Sequence, residues 1–363
     1  MVADSKPRAI KRSWGRLAVE VRQHASSGHQ IAVLGAGLLV GLVVSALILM
    51  ASGISLVDLA NEFVFAIVTD PTSISAVLTQ TAPLMICGLA ATVAFRVRFW
   101  NIGIEGQMIF GAIAATAVAI HDFGPPSLRI WIMMLAAALG GMAWIVLPAF
   151  LRLRLGVNEI ISTLLLNYVA FDFLLHLLYG SWKDPKSGFP NSAEFDLAER
   201  IPLIGWQALS YSLVLALALA VLCWWLLNVS RAGFYAGFVH ANPKMASAMG
   251  LSVASLVGGA ALLSGALSGI AGFVISAGVE YRMTQSFFLG YGFSGILIAF
   301  LGRNSALGAS FVSVFVAVLF IAGQSLQVFY QIPGSVVQLI QAIIVISVAS
   351  AEFFIRYRAR WVG

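Results

Sequence analysis

The feature that most constrains this chain is a series of apolar runs, each close to the length of a membrane-crossing helix. The first, residues 31–52, reads IAVLGAGLLVGLVVSALILMAS and carries no charge. A helix rising about 1.5 Å per residue needs about 20 apolar residues to cross a hydrocarbon core. Ten stretches approach that requirement: residues 31–52, 74–95, 103–121, 129–150, 158–179, 208–228, 253–277, 285–302, 306–329 and 334–355. The fifth and eighth are the more polar or glycine-rich. Composition agrees, since 60% of the 363 residues are hydrophobic and only 10% are charged, against roughly 25% charged in soluble domains. The expected fold is all-α, a polytopic helical membrane protein with about ten spans. A membrane β-barrel would show short alternating segments, and none is visible.

The charges that remain are sorted by side. With the N-terminus placed inside, the inner segments hold every basic residue except Arg129, Lys183, Lys186, Arg200 and Arg282. Basic residues concentrate in short cytoplasmic segments, so both termini are expected in the cytoplasm. The inner basic residues include Lys6, Arg8, Lys11, Arg12, Arg96, Arg98, Arg152, Arg154, Arg231 and Arg303. The outer side collects acids such as Glu62, Asp70, Asp122, Glu194 and Glu199. The net charge of +6 is therefore a topology signal with anionic-lipid contact, and no nucleic-acid partner is expected. The reading divides the chain into a basic tail, residues 1–30, a membrane domain, residues 31–355, and a short tail, residues 356–363. Because the first run is too long for a signal-peptide core, it is read as a retained span. Cys87 and Cys223 both sit in apolar runs, which suggests no disulfide framework. No metal or cofactor is expected.

An energy source is missing. No G-x-x-x-x-G-K-[ST] motif occurs, nor any Gly-Lys pair, so this chain has no phosphate-binding loop of that kind. The inner loop 228–250, NVSRAGFYAGFVHANPKMASAMG, suggests a partner instead. Asn242 suits a helix cap, Pro243 its first turn and Gly250 its end. Lys244, Met245, Ala246 and Met249 fall on that short helix. Met245 and Met249, at i and i+4, give it an apolar edge suited to a groove on a soluble partner. Residues 180–207 form the one sizeable outer loop, read as an external cap or docking segment.

Five stretches, in order, carry a resemblance: VAFRVRFWNIGIEGQM, GVNEIISTLLLNYVA, RAGF…ANPKMASAMG, SGALSGIAG and GYGFSGILIAFLGR. They resemble the motifs of permease subunits of ABC importers, in the simple-sugar and nucleoside branch related to ribose and branched-chain amino-acid permeases. The resemblance covers residues 80 to 305, approximately. It implies a second permease subunit, identical or homologous, and two ATPase subunits docked on the helix at 242–250. It also implies a substrate-binding protein or lipoprotein and a nucleoside or sugar ligand. The chain itself would not be an enzyme. Arg98, Trp100 and Ile104 depart from the family pattern FRAGLFNIGAEGQ, as GFVHANP does from RAVGENP.

Polar residues inside the spans are the candidate pathway: Asn101, Glu105, Gln107, Asn158, Asn167 and Tyr168. A charge at mid-membrane is costly unless it meets protein or water. Glu105 is expected one turn from the inner boundary set by Arg96 and Arg98, either as an inner gate or in a buried ion pair, such as one with Arg98, or hydrogen bond that fixes helix packing. In the fifth span, Asn158, Ser162, Asp172 and His176 fall near one stripe, and Thr163 and Asn167 make another. Asn167 and Tyr168 are candidates to hydrogen-bond and stack a nucleoside-like ligand; interhelical bonding is the alternative. Asp172 and His176 are spaced to pair. GALSG at 265–269 reads as helix packing. The aromatic residues Tyr281, Phe287, Phe288, Tyr291 and Phe293 read as an interfacial belt or as helix packing rather than ligand contacts. Two rivals stand beside the importer reading, an ion-coupled carrier and a non-transporting scaffold.

Overall fold

The computed structural model describes residues 16–22, 26–61, 65–285 and 290–362. Lys6, Arg8, Lys11, Arg12, Glu62, Phe287 and Phe288 lie outside the described residues. The chain divides into two compact units, residues 1–54 with 338–363, and residues 55–337.

In chain order the elements begin with β1 (Arg16–Val21), α1 (Ser27–Ala51), α2 (Leu56–Ala60), α3 (Ala66–Thr69), α4 (Pro71–Phe95) and α5 (Ile104–Ile120). There follow α6 (Pro126–Leu155), α7 (Glu159–Tyr179), a 3-10 turn (Leu197–Glu199), α8 (Ser212–Asn228), α9 (Arg231–Ala241) and α10 (Pro243–Ala248). The last are α11 (Val253–Ile275), extended by a π-helical turn (Ser276–Glu280), then α12 (Tyr291–Leu301), α13 (Ala306–Tyr330), α14 (Gly334–Arg356) and β2 (Tyr357–Val362).

Each of the ten expected stretches contains a helix among the described residues, but they are not equal. Among the described residues, seven helices are long and apolar enough to cross a membrane, or eight if α8 and α9, bent by 64°, count as one span. The shortfall lies in α5, with 17 residues, and α12, with 11. These measure about 26 Å and about 17 Å, against a hydrocarbon core of about 30 Å. Hydropathy marks a segment as apolar without saying whether lipid or protein surrounds it.

The smaller unit joins the chain ends. β1 and β2 pair antiparallel, with Arg16 opposite Val362 and Val21 opposite Tyr357. The described part of the N-terminal tail and residues 357–362 of the C-terminal tail thus form a two-stranded ribbon. α1 meets α14 over Gly37 and Gly41. A Cβ at Gly37 would lie 2.7 Å from the Ala351 Cβ, and one at Gly41 would lie 2.8 Å from the Ile344 Cα. Small residues four apart let two backbones approach this closely.

In the larger unit α4 is the central helix. Every residue from Gln80 to Phe95 is buried, against α8, α11, α12 and α13. Asp70 caps its start by accepting from the backbone N–H groups of Thr72 and Ser73. α5, α6 and α11 form a second close-packed group. At Gly269 an added Cβ would lie 2.0 Å from the Ala137 carbonyl oxygen, and at Gly141 it would lie 2.1 Å from the Gly265 carbonyl oxygen. The GALSG stretch is thus a packing seam, as expected. Large apolar side chains face outward instead, among them Trp131, Leu135, Leu139 and Phe150 on α6. An apolar exterior over a bundle with polar groups inside is the arrangement of a protein dissolved in lipid.

The outer loop is stitched down rather than loose. Its Ser192, Phe195 and Ile201 N–H groups donate to the carbonyls of Met283, Tyr281 and Ala277. Arg129 pairs with Glu199 at 2.8 Å and Asp122 at 2.6 Å. Phe189 and Leu197 remain exposed at its surface.

Candidate translocation site

α4 and α12 run parallel, and this gives a depth scale. Gln80 Nε2 donates to the Tyr291 hydroxyl at 2.7 Å, and the Phe95 and Phe300 rings lie 5.3 Å apart. A Cβ at Gly295 would touch the Cys87 Cβ at 2.5 Å. Gly292, about 4.5 Å further up α12, is therefore level with about Leu84, beside the midpoint of α4.

Glu105 sits at that level. Its carboxylate accepts from the Gly292 N–H at 2.5 Å and the Gly290 N–H at 3.2 Å. It caps the start of α12, where first-turn N–H groups and the helix dipole favour an anion. This corrects the sequence-based placement. Glu105 lies near mid-depth, not one turn from the inner boundary, and its partners are backbone amides rather than Arg98. The Arg98 guanidinium donates to the Ala241 carbonyl at 3.2 Å. The error arises because the chain does not begin α5 at the boundary. After α4 it turns back and climbs into the bundle through residues 96–103 without regular structure.

Such a segment has backbone groups that lipid would leave unsatisfied. α7 supplies them from one face. Glu159 Oε1 accepts from the Trp100 N–H at 3.4 Å while Oε2 pairs with Arg152 at 3.1 Å. The Thr163 hydroxyl accepts from the Ile102 N–H at 3.2 Å. Asn167 accepts from the Gly106 N–H at 2.8 Å and donates to the Ile102 carbonyl at 2.9 Å. The spacing 159, 163, 167 puts these three on one helical stripe. It accounts for one of the two polar faces of the fifth span.

Asn101 and Gln107 close the arrangement. Their side-chain amides pair reciprocally, at 2.9 Å in each direction. Asn101 also donates to the Ser264 hydroxyl at 2.9 Å, which in turn donates to the Ala90 carbonyl at 2.7 Å. Thus Asn101, Glu105, Gln107 and Asn167 are brought together, fully buried and bonded to protein. Asn158 and Tyr168 are not with them. Asn158 is exposed and caps α7 through the Ile160 N–H at 2.9 Å. Tyr168 is 57% exposed on the opposite face of α7, where Asp172 and His176 are also exposed. No ion pair joins Asp172 to His176 among the described residues. Sequence reasoning did not single out Glu159, although its spacing to Thr163 and Asn167 was a usable signal. Ser264 and the Gly290 and Gly292 amides carried none.

At one end of the bundle α9 and α10 make an elbow. The Asn242 side chain caps α10 by accepting from Lys244 N at 3.0 Å and Met245 N at 3.2 Å. Ala246 is fully buried, while Met245 and Met249 are each 57% exposed. Pro243 occupies the first turn, and Gly250 follows α10 with φ +83°. The short helix expected from the sequence is present, apolar edge outward.

Comparison with known proteins accords with this architecture. The family model described as "Branched-chain amino acid transport system / permease component" matches residues 73–349. The chain is 35% identical over 331 residues to the glucose ABC transporter permease protein TsgB13 of Haloferax volcanii, covering 88% of this chain and 87% of that one. It is 30% identical over 318 residues to the guanosine ABC transporter permease protein NupP of Bacillus subtilis, covering 86% and 91%. It is 27% identical over 291 residues to the nucleoside ABC transporter permease protein NupB of Lactococcus lactis, covering 77% and 80%. No solved structure matches the chain. With a broken, protein-satisfied segment at mid-depth and a matching family model over most of its length, the chain belongs to the branched-chain amino acid transport system permease family, as a multi-pass ABC-importer permease of the simple-sugar and nucleoside branch.

Proposed function

We propose that this chain forms one half of the translocation pathway of an ATP-driven importer for nucleosides. The observation that carries the ligand class is the occupation of Glu105. The acid at mid-depth is held by the α12 amides, and its buried neighbours Asn101, Gln107 and Asn167 are neutral. With its charge spent on those amides and its neighbours bonded to protein, Glu105 offers no free charge to the pathway in front of it, which suits a neutral, hydrogen-bonding ligand better than a zwitterion, whose two charges would each need a partner. Relatives named for guanosine and nucleoside transport support the nucleoside. The relative named for glucose transport supports simple sugars as the second reading.

In this reading the pathway runs along the exposed face of α7. Tyr168, Asp172 and His176 stand there one turn apart, and polar side chains on a span face water or protein rather than lipid. A second permease subunit covers that face across the pathway. Asn101, Glu105, Gln107 and Asn167 hold the wall in shape from behind, and Asn158 fixes the start of α7. ATPase subunits dock on Asn242–Gly250, with Met245 and Met249 as contacts and Lys244 at the rim. The Arg98 bond to Ala241 links that elbow to the broken segment, so movement of α10 reaches the pathway. A binding protein docks over the outer loop, where Phe189 and Leu197 are exposed. In the full assembly α5 and α12 complete a set of ten membrane-embedded helices with both termini cytoplasmic.

The test is transport by the assembled importer in proteoliposomes, with labelled guanosine and labelled glucose competing. ATP-dependent guanosine uptake is expected. Uptake of glucose alone would establish the sugar reading. Uptake that needs no ATP and collapses with a protonophore would replace the importer by an ion-coupled carrier.

A further inference from the structure

At the end of the bundle that carries α9 and α10 lies a cavity of about 320 Å³. It opens between the last turn of α4, the α8–α9 bend and the first turns of α11. Val97, Leu226, Leu256 and Leu263 give it apolar walls, and Arg96 is its one charged lining residue. The Arg96 Nε is buried without a hydrogen-bond partner. No carboxylate lies within ion-pair distance of Arg96 among the described residues. A guanidinium is always charged and matches oxyanions with its planar donors, so a buried unpaired donor on it calls for an anion.

A second observation agrees. The start of α11 has no side-chain cap and no acid in its first turn, and Ser255 of that turn lines the cavity. Its unsatisfied first-turn N–H groups add positive potential on the side facing Arg96. The α9 first turn, which contributes Ala232 and Gly233 to the lining, also lacks an acid.

We propose that this cavity binds the phosphate of an anionic phospholipid, with Arg96 and the α11 first turn on the headgroup and an acyl chain along the leucine wall. The apolar walls select a lipid over a free anion, since inorganic phosphate would leave them unfilled. The cavity sits where α4, α8 and α11 all end, which is where a lipid headgroup lies. It also sits on the 64° joint between α8 and α9, so an occupant there stiffens the arm that ends in α10.

The full-length protein is purified and placed in phosphatidylcholine nanodiscs with or without an equal part of phosphatidylglycerol. Lipid retained after ejection is then read by native mass spectrometry. Wild type should retain phosphatidylglycerol in preference to phosphatidylcholine. Arg96→Gln should lower that preference about tenfold, the scale of one charge-assisted hydrogen bond. Gly259→Leu serves should Arg96→Gln fail to fold. Gly259 lines the cavity, and a Cβ there meets no atom within 4 Å, so a side chain can start from this wall without displacing the backbone. The leucine should lower the preference to a similar degree with Arg96 intact. Equal retention by wild type and Gly259→Leu overturns the proposal. So does loss of the preference on adding inorganic phosphate at constant ionic strength, which would make a free anion the occupant.

Discussion

Glu105 shows how a single buried acid can be spent on the protein's own backbone. Its two oxygens serve two backbone amides at the start of α12, the Gly292 one buried and the Gly290 one part-buried. Glu105→Gln keeps one acceptor oxygen and sets an NH2 group against an N–H. We expect the variant to insert and fold, with stability lower by about 1–3 kcal/mol, measured as an earlier unfolding midpoint in detergent. An unchanged midpoint would mean that the carboxylate is not the cap of α12. Asn167→Leu removes the partners of both the Gly106 N–H and the Ile102 carbonyl, and should destabilise by about 2–6 kcal/mol as two such groups lose their bonds. Stability equal to wild type would contradict that bridge. These residues were visible in the sequence as polar letters in apolar runs, and their clustering in NIGIEGQM was legible. Their partners were not. The groups that hold Glu105 are main-chain amides 185 and 187 residues away, and glycines leave no side-chain signature of that duty. The sequence-based depth failed for a related reason, since a helix was taken to start where the basic residues end.

Among the elements, α5, α6 and α11 cross over glycines with no spare room. Gly269→Val would drive a side chain into the Ala137 carbonyl, 2.0 Å from where its Cβ must sit. Overpacking of this kind costs about 1–3 kcal/mol and sometimes more. We expect a lower yield of folded protein and an earlier unfolding midpoint, whereas Gly259→Ala, which meets no atom, should be tolerated. Equal behaviour of the two would mean the seam is looser than its geometry. The start of α4 offers a pH test. Hydrogen bonds from the Thr72 and Ser73 hydroxyls, with their backbone amides, hold the Asp70 carboxyl at about 2, below its ordinary 3.8. A lowered value means stabilisation that is present above pH 3.8 and is lost as the pH falls through about 2. The difference in midpoint between wild type and Asp70→Asn should therefore shrink across that window. A difference that stays constant would remove Asp70 as the cap. The positions of the long apolar helices were legible because apolar runs of the right length are a strong signal. Which of them are full spans was not, because α5 and α12 are apolar for the sake of neighbouring helices rather than lipid.

For the whole molecule, the elbow at α9 and α10 makes the clearest prediction. Ala246 is buried and its N–H donates to the Asn242 carbonyl at 3.0 Å. Ala246→Pro removes that donor and distorts the short helix. In the assembled importer we expect ATP hydrolysis to continue while uptake falls, and intact uptake would count against docking at this elbow. The architecture also bears on how the protein is made. α4 leaves the ribosome early, yet Gln80, Thr81 and Thr92 on it are buried by helices that come much later. Its bond to Tyr291 spans 211 residues and its contact with Ser264 spans 174. At the usual 5–20 residues per second, roughly ten to forty seconds pass before those partners exist. Through that interval an apolar helix carrying Gln80 and two threonines must wait at the membrane without the bundle that will enclose it. Biogenesis of this protein therefore rests on whatever shelters α4 until its late neighbours arrive.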